Sequence, residues 1–217
     1  MFKKLFFAVC IPLLFFLKNA EGGNGNNSEW KQIYSSDNIT HYERWISLDN
    51  GRSTRERKIE LVVASDFENA FHFLNDPRTT KRWMKGIKEV EMVSTVGAEK
   101  QYAHTIFRLP WPFDDKDMVA SYESVRPSSG HYIIQIISAQ NMLKPVPKIN
   151  RIKEYRAVWE LTRLNDNTLK IVFTVYSSTR PLVARFIQDP IMNRIFVQNF
   201  DHLKQLLSSP EYVVQSQ

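Results

Sequence analysis

From residue 39 onward, apolar and polar side chains alternate in short runs broken by turn-forming residues. Residues 39–47 and 55–64 form two such runs, separated by Asp49-Asn50-Gly51, a strong turn signal. Further runs cover 87–96, 101–108, 117–126, 131–139, 151–164 and 168–178. Gly97, Pro127-Ser128-Ser129-Gly130 and Asn165-Asp166-Asn167 punctuate them. In 117–126, Met118, Ala120 and Tyr122 share one face, with Ser121 and Glu123 on the other. In 151–164, Tyr155, Ala157, Trp159 and Leu161 oppose Glu154, Arg156, Glu160 and Thr162. In 168–178, Ile171, Phe173 and Val175 oppose Lys170 and Thr174. One dry face and one wet face describe strands of an antiparallel sheet.

Helical spacing appears in four places. Ser28 is positioned to cap a short helix bearing Trp30, Ile33 and Tyr34. Ser65-Asp66-Phe67-Glu68 matches the capping box, in which hydroxyl and carboxylate satisfy each other's free helix amides, and predicts a helix to about Asn75, before Pro77. A short helical piece carries Trp83. The last element, 181–208, repeats apolar residues at three- and four-residue spacing: Val183, Phe186, Ile187, Ile191, Ile195, Phe196, Phe200, Leu203 and Leu207. Asp189-Pro190 interrupts it, and a proline there predicts a kink. Strands in series followed by one long amphipathic helix suggest a curved antiparallel sheet gripping that helix, an α+β fold.

The N-terminus has a different character. Lys3 and Lys4 precede an apolar run from Leu5 to Leu17, short for a bilayer span but suited to the core of a secretory signal peptide. Residues 1–20 are therefore expected to direct export, to periplasm or exterior, with retention as a membrane anchor as the alternative. Lys18 is unusual so near a cleavage site. The glycine-rich stretch 21–28 reads as a linker, and 28–210 as one domain. Removing 1–20 takes away Lys3, Lys4 and Lys18 but no acid, so the net charge falls from +6 to +3. That balance gives no ground for nucleic-acid binding. Cys10, the single cysteine, leaves too, and with it any thiol chemistry of the mature chain.

Two segments carry a resemblance to a known family. "LPWPFDDKDMV", 109–119, resembles the P-x-P-x-x-x-(R/K)-D-x-V segment of START domains, the steroidogenic-acute-regulatory-related lipid transfer family. "NRIKEYRAVWEL", 150–161, resembles the R-(V/I)-K-x-Y-(K/R) strand of its phosphatidylcholine-carrying branch. The order of elements agrees over about 28–208, as for an exported, bacterial-type member. The resemblance implies a helix-grip fold, in which the sheet wraps the C-terminal helix around a tunnel for one apolar molecule. It implies too that the loop holding Trp111 and Phe113 closes the mouth together with that helix. These two aromatics either meet ligand or a membrane surface, giving transient membrane contact, or plug the edge of the core.

In the phosphatidylcholine-carrying relatives, an aromatic cage holds choline through the attraction of ring faces for quaternary ammonium. The corresponding positions here are Thr105, Phe107, Met118, Tyr155 and Ala157, and the phosphate-binding arginine falls near Thr80, beside Lys81 and Arg82. Thr105 and Met118 stand where rings are needed, so a less polar ligand or another head group is expected. The inward faces of the strands add Tyr122, Trp159, Phe173 and Val175 to the expected lining, and the middle of the last helix adds Phe186, Met192 and Phe196.

Catalytic signatures are missing from the sequence. Three of seven glycines lie in the linker, and no phosphate loop or G-x-S-x-G elbow is formed. His41, His72, His104, His131 and His202 have no metal-ligand spacing. His104, next to Thr105, is expected on the opposite face, and Asp114, Asp115 and Asp117 in a solvated loop, with Asp117 paired to Lys116, Arg126 or a backbone amide. The expected function is non-enzymatic carriage of a lipid or similar hydrophobic molecule, with no cofactor or metal. The alternative is a cyclase or hydrolase on the same architecture, for which Tyr155 and Tyr122 are the inward titratable candidates. The basic, apolar N-terminus generates one prediction: protein isolated from its native host begins near Glu21. N-terminal sequencing checks this, and an intact Met1 in a cytosolic fraction would refute it.

Overall fold

A computed structural model describes residues 27–36, 38–97, 99–109, 114–178 and 184–209, with backbone alone at 185–187. The chain forms β1 (Lys31–Ser36), β2 (Ile39–Ser47), β3 (Ser53–Ala64), α1 (Phe67–Asn75), α2 (Thr80–Trp83), β4 (Ile87–Val96) and β5 (Lys100–Phe107). There follow β6 (Lys116–Ser128), β7 (His131–Ser138), β8 (Asn150–Arg151), β9 (Tyr155–Asn165), β10 (Thr168–Ser177) and α3 (Arg185–Leu207). The strands make one sheet in the order β1-β2-β3-β10-β9-β7-β6-β5-β4, antiparallel throughout. β8 lies off this path and pairs parallel with β6. This is the α+β helix-grip architecture.

Local chemistry explains most of the elements. β2 and β3 are joined at Gly51, whose φ of 75° is open to glycine at no steric cost. Register shifts at Ile87/Glu89 and Met92/Ser94 in β4 and at Val125/Ser128 in β6 add twist and help the sheet curl. Gly86 has φ 94°, and its carbonyl accepts from the Arg108 amide at 2.7 Å. A Cβ there would sit 3.2 Å from the Arg108 carbonyl, so only glycine lets the end of α2 close onto the end of β5.

Three expectations need correcting. The segment after Ser28 is a strand, not a helix. Its hydroxyl accepts from the Trp45 amide at 2.7 Å rather than from a helical amide, and its own amide donates to Trp45. Pairing with β2 overrides the local cap signal, and Trp30 lies on the outer face beneath Arg44. Second, α1 is capped by Asp66, which accepts from Asn69 at 2.8 Å, not by Ser65. Aspartate serves as well as serine at this position. Glu68 is thereby freed to bind Arg126 and the Tyr132 hydroxyl, tying α1 to the sheet. Third, 151–164 is not one strand: Arg151 belongs to β8, and β9 begins at Tyr155.

The third break has a cause. Asp117 is fully buried, and Arg151 grips its carboxylate through Nε at 3.1 Å and a terminal nitrogen at 2.5 Å. His104 Nε2 contacts the same carboxylate at 3.0 Å. Arg151 also donates to the carbonyls of Gln140, Leu143 and Lys144, gathering the 139–151 segment over that face. So Asp117 is neither solvated nor paired with Lys116 or Arg126, because the arginine of the second sequence motif reaches it first. Burial works to raise its pKa, but the bonds from Arg151 and His104 outweigh that and hold it below the usual carboxylate range.

The core lies between sheet and helices. Trp83, Trp159, Phe173, Phe196 and Phe200 form a connected aromatic cluster with centroids 4.2–6.3 Å apart. Phe200, Leu203 and Leu207 in the second half of α3 are completely buried, whereas Ile191 in the first half is 37% exposed. His202 Nδ1 donates to the Trp83 carbonyl at 3.1 Å, and Asn199 accepts from the Lys85 amide at 3.0 Å, which fastens α2 to that second half. The Asp117 site yields a stability prediction. Arg151→Ala leaves a buried carboxylate without its main partner and should cost about 3–5 kcal/mol. The pair Asp117→Asn with Arg151→Met should recover much of the loss, as urea denaturation of the three proteins would show.

Candidate ligand cavity between the sheet and the last helix

A cavity of about 300 Å³ lies between the concave face and the first half of α3. Its apolar wall is made by Phe107, Ile152, Tyr155, Phe173, Val175, Met192, Ile195 and Phe196. A deeper chamber of about 40 Å³ is lined by Thr105, Met118, Tyr122, Ile136 and Trp159, among others. Met84, Phe107, Tyr155 and Phe173 border both spaces and form a collar between them.

Most expected lining residues thus come together, in two groups. Phe107, Tyr155, Phe173, Val175, Met192 and Phe196 face the main cavity, and Thr105, Met118, Tyr122 and Trp159 the deeper chamber. Ala157 faces inward but lines neither space. It is 1% exposed in the core, and its methyl is too short to reach past Tyr155 and Trp159 on either side. Trp111, Phe113 and the side chain of Phe186 lie outside the described residues. The main cavity reaches the surface at exposed Lys85 and at Leu109. His104 sits on the opposite face from Thr105, as alternation requires.

Two buried phenols belong to this site. Burial raises Tyr122 to about 12, against a weaker opposing bond with Thr105. Burial, with a smaller contribution from Tyr122, raises Tyr155 further. What accessibility Tyr155 has opens into the cavity. Both remain protonated at neutral pH, suited to donating a hydrogen bond rather than to removing a proton.

The polar corner of the main cavity is absent from the expected lining. Arg55 and Arg57 of β3 and Asp189 of α3 line it. Glu43 of β2, 4% exposed, stands behind them, 2.9 Å from Arg55 and 3.0 Å from Arg57 Nε. Arg57 Nε also donates to Asn193 at 3.2 Å, and Arg55 lies 3.7 Å from Asp189. Burial lowers the pKa of Arg57, with Glu43 and Asp189 countering it, and the group remains a cation. A signal for this corner existed: Arg55 and Arg57 lie two apart and share the parity of Ile59, Leu61 and Val63, putting charge on the apolar face. Among the described residues, no group of three or more His, Cys, Asp or Glu could hold a metal ion.

Comparison with solved structures places this fold among the STAR-related lipid transfer domains. A STAR-related lipid transfer protein fragment from Xanthomonas axonopodis superposes with a TM-score of 0.72 at 16% identity, over 83% of this chain and 99% of that one. Human StAR-related lipid transfer protein 5 gives 0.70 at 12% identity, covering 88% and 90%. An aromatase/cyclase from Streptomyces gives 0.52 at 13% identity, covering 70% and 92%. At these identities the likeness is one of fold. No family model matches the sequence, and a search of curated proteins finds no match.

His41 supplies a pH prediction. It is fully buried, 4.9 Å from the Phe196 ring, and neither ring nitrogen has a partner among the described residues. Burial first, and the Arg57 charge second, lower its pKa from 6.5 to about 4. Between those values the unfolded chain binds the proton and the native one does not, so stability falls as pH drops from about 6.5 towards 4. The gap is on the order of 3 kcal/mol. His41→Leu should flatten that part of the curve, measured by denaturant titration at pH 7 and 4.5.

Proposed function

We propose that this protein binds and carries a lipid or similar hydrophobic molecule without transforming it. The observation that supports this best is the 300 Å³, largely apolar cavity between the sheet and the first half of α3. Its size is at the low end of ligand pockets, roughly 300–1,000 Å³, and suits a single acyl chain or compact ring system better than a two-chain lipid. The fold shared with lipid transfer domains points the same way. A branch specialised for phosphatidylcholine is disfavoured, because Thr105 and Met118 occupy the deeper chamber where a choline cage needs rings. Export through residues 1–20 and transient docking on a membrane complete the proposal: a carrier outside the cytoplasm meets its cargo at lipid surfaces.

A cyclase-type enzyme is the second reading, favoured by the aromatase/cyclase fold likeness and by two buried phenols facing the cavity. The carrier reading is preferred because both phenols hold their protons and neither buried histidine among the described residues, His41 or His104, lines the cavity. Native mass spectrometry of the full chain, with extraction of what copurifies, is expected to show one bound apolar molecule that is not a choline lipid. Val175→Trp, which adds bulk into the cavity from its wall, should fold with a loss of about 1–3 kcal/mol and copurify without that molecule. Unchanged loading of a folded variant would place the ligand elsewhere.

A further inference from the structure

The Arg55–Arg57–Asp189–Glu43 corner has hydrogen-bonding capacity left over. Asp189 Oδ1 is buried and has no partner among the described residues, although its carboxylate lines the cavity. Arg57 donates from Nε to Asn193 and lies 3.0 Å from Glu43 Oε1 as an ion pair; that oxygen and Arg55 Nε are also buried without a hydrogen bond among the described residues. The two terminal nitrogens of Arg57 make no hydrogen bond among the described residues, and the residue lines the same cavity. One wall thus holds an unused acceptor just beneath its surface, on a carboxylate that lines the cavity, beside an arginine with donors to spare, in a space that is otherwise apolar. Leaving such groups unpaired is costly, and a ligand that satisfies both recovers that cost.

Charge decides the kind of head group. Among the described residues, two arginines face two carboxylates, so the corner they form is balanced. Lys116 lines the far wall on β6, and Lys85 stands exposed at the mouth, in water. An ionised head group would add one unbalanced charge to this corner, with a desolvation penalty that no other charge at the corner offsets among the described residues. A pure acceptor would satisfy Arg57 but leave Asp189 Oδ1 empty.

We propose that this corner is a head-group subsite for an uncharged group that both accepts and donates hydrogen bonds, such as a hydroxyl or a primary amide, on an apolar body. The head accepts from the terminal nitrogens of Arg57 and donates to Asp189 Oδ1. The body runs along Val175, Phe173 and Phe196 towards the collar. The subsite rests on the carrier reading and narrows its cargo.

Binding of four probes with one chain in common tests it, using the full protein at pH 8 and calorimetry or displacement of a fluorescent probe. Oleyl alcohol and oleamide should each bind at least tenfold more tightly than oleate, which is ionised, and than methyl oleate, which cannot donate. Asp189→Asn removes one negative charge and makes the corner cationic. It should tighten oleate in absolute terms and shrink the alcohol-to-oleate preference at least tenfold, a gain that a misfolded variant cannot produce. Equal affinity for all four probes in the wild type would overturn the subsite while leaving the carrier reading standing. So would a preference for oleate, or a ratio unmoved by Asp189→Asn. No binding of any probe, with no apolar molecule copurifying, would overturn both.

Discussion

The buried contact of Arg151 with Asp117 determines how the site is built. Asp117 belongs to the strand that follows the 109–115 segment, and Arg151 to the segment that returns from β7. Their pairing holds β8 parallel to β6, breaks what would be one long strand, and delivers Ile152 and Tyr155 to the cavity wall. The three carbonyls bound by the same guanidinium fix the intervening segment. Planar arginine suits this role because its five donors can serve a carboxylate and several carbonyls at once. The two sequence motifs resembling lipid transfer domains therefore meet in a single interaction.

A second division runs along α3. Its last turns are held by apolar burial at Phe200, Leu203 and Leu207, and its first turns by polar contacts of Asp189 and Asn193 with β3. The cavity lies under the polar half, which also contains Pro190. Packing that anchors the fold and packing that encloses the ligand space are thus assigned to different stretches of one helix.

Strand positions and the cavity's apolar lining were largely legible in the sequence, because alternation on a two-faced sheet reports directly which side chains point inward. Thr105, Met118, Tyr155 and Phe173 follow from that rule. What escaped was set by distant contacts. Ser28 looks like a cap until Trp45 claims its hydroxyl, and 151–164 looks continuous until Arg151 meets Asp117. Ala157 has inward parity, but its neighbours' bulk keeps it from the cavity. The charged corner was missed for another reason: it draws on β2, β3 and α3, elements remote in sequence, and charge is ordinarily read as a mark of the wet face. The alternation of Arg55 and Arg57 with Ile59 contradicted that assumption in plain sight.

The uneven anchoring of α3 has a consequence for the protein's internal motions. Phe200, Leu203 and Leu207 are fully buried, and Phe200 packs on Trp83 and Trp159, so amide exchange around them is expected to be slow. Among the described residues, the stretch from Asp189 to Asn193 is tied to β3 by polar contacts, and Pro190 lacks the backbone donor that would otherwise resist bending. The two halves of the helix are thus anchored by different kinds of contact, and amide exchange is expected to be slower in the second half than over the ligand space.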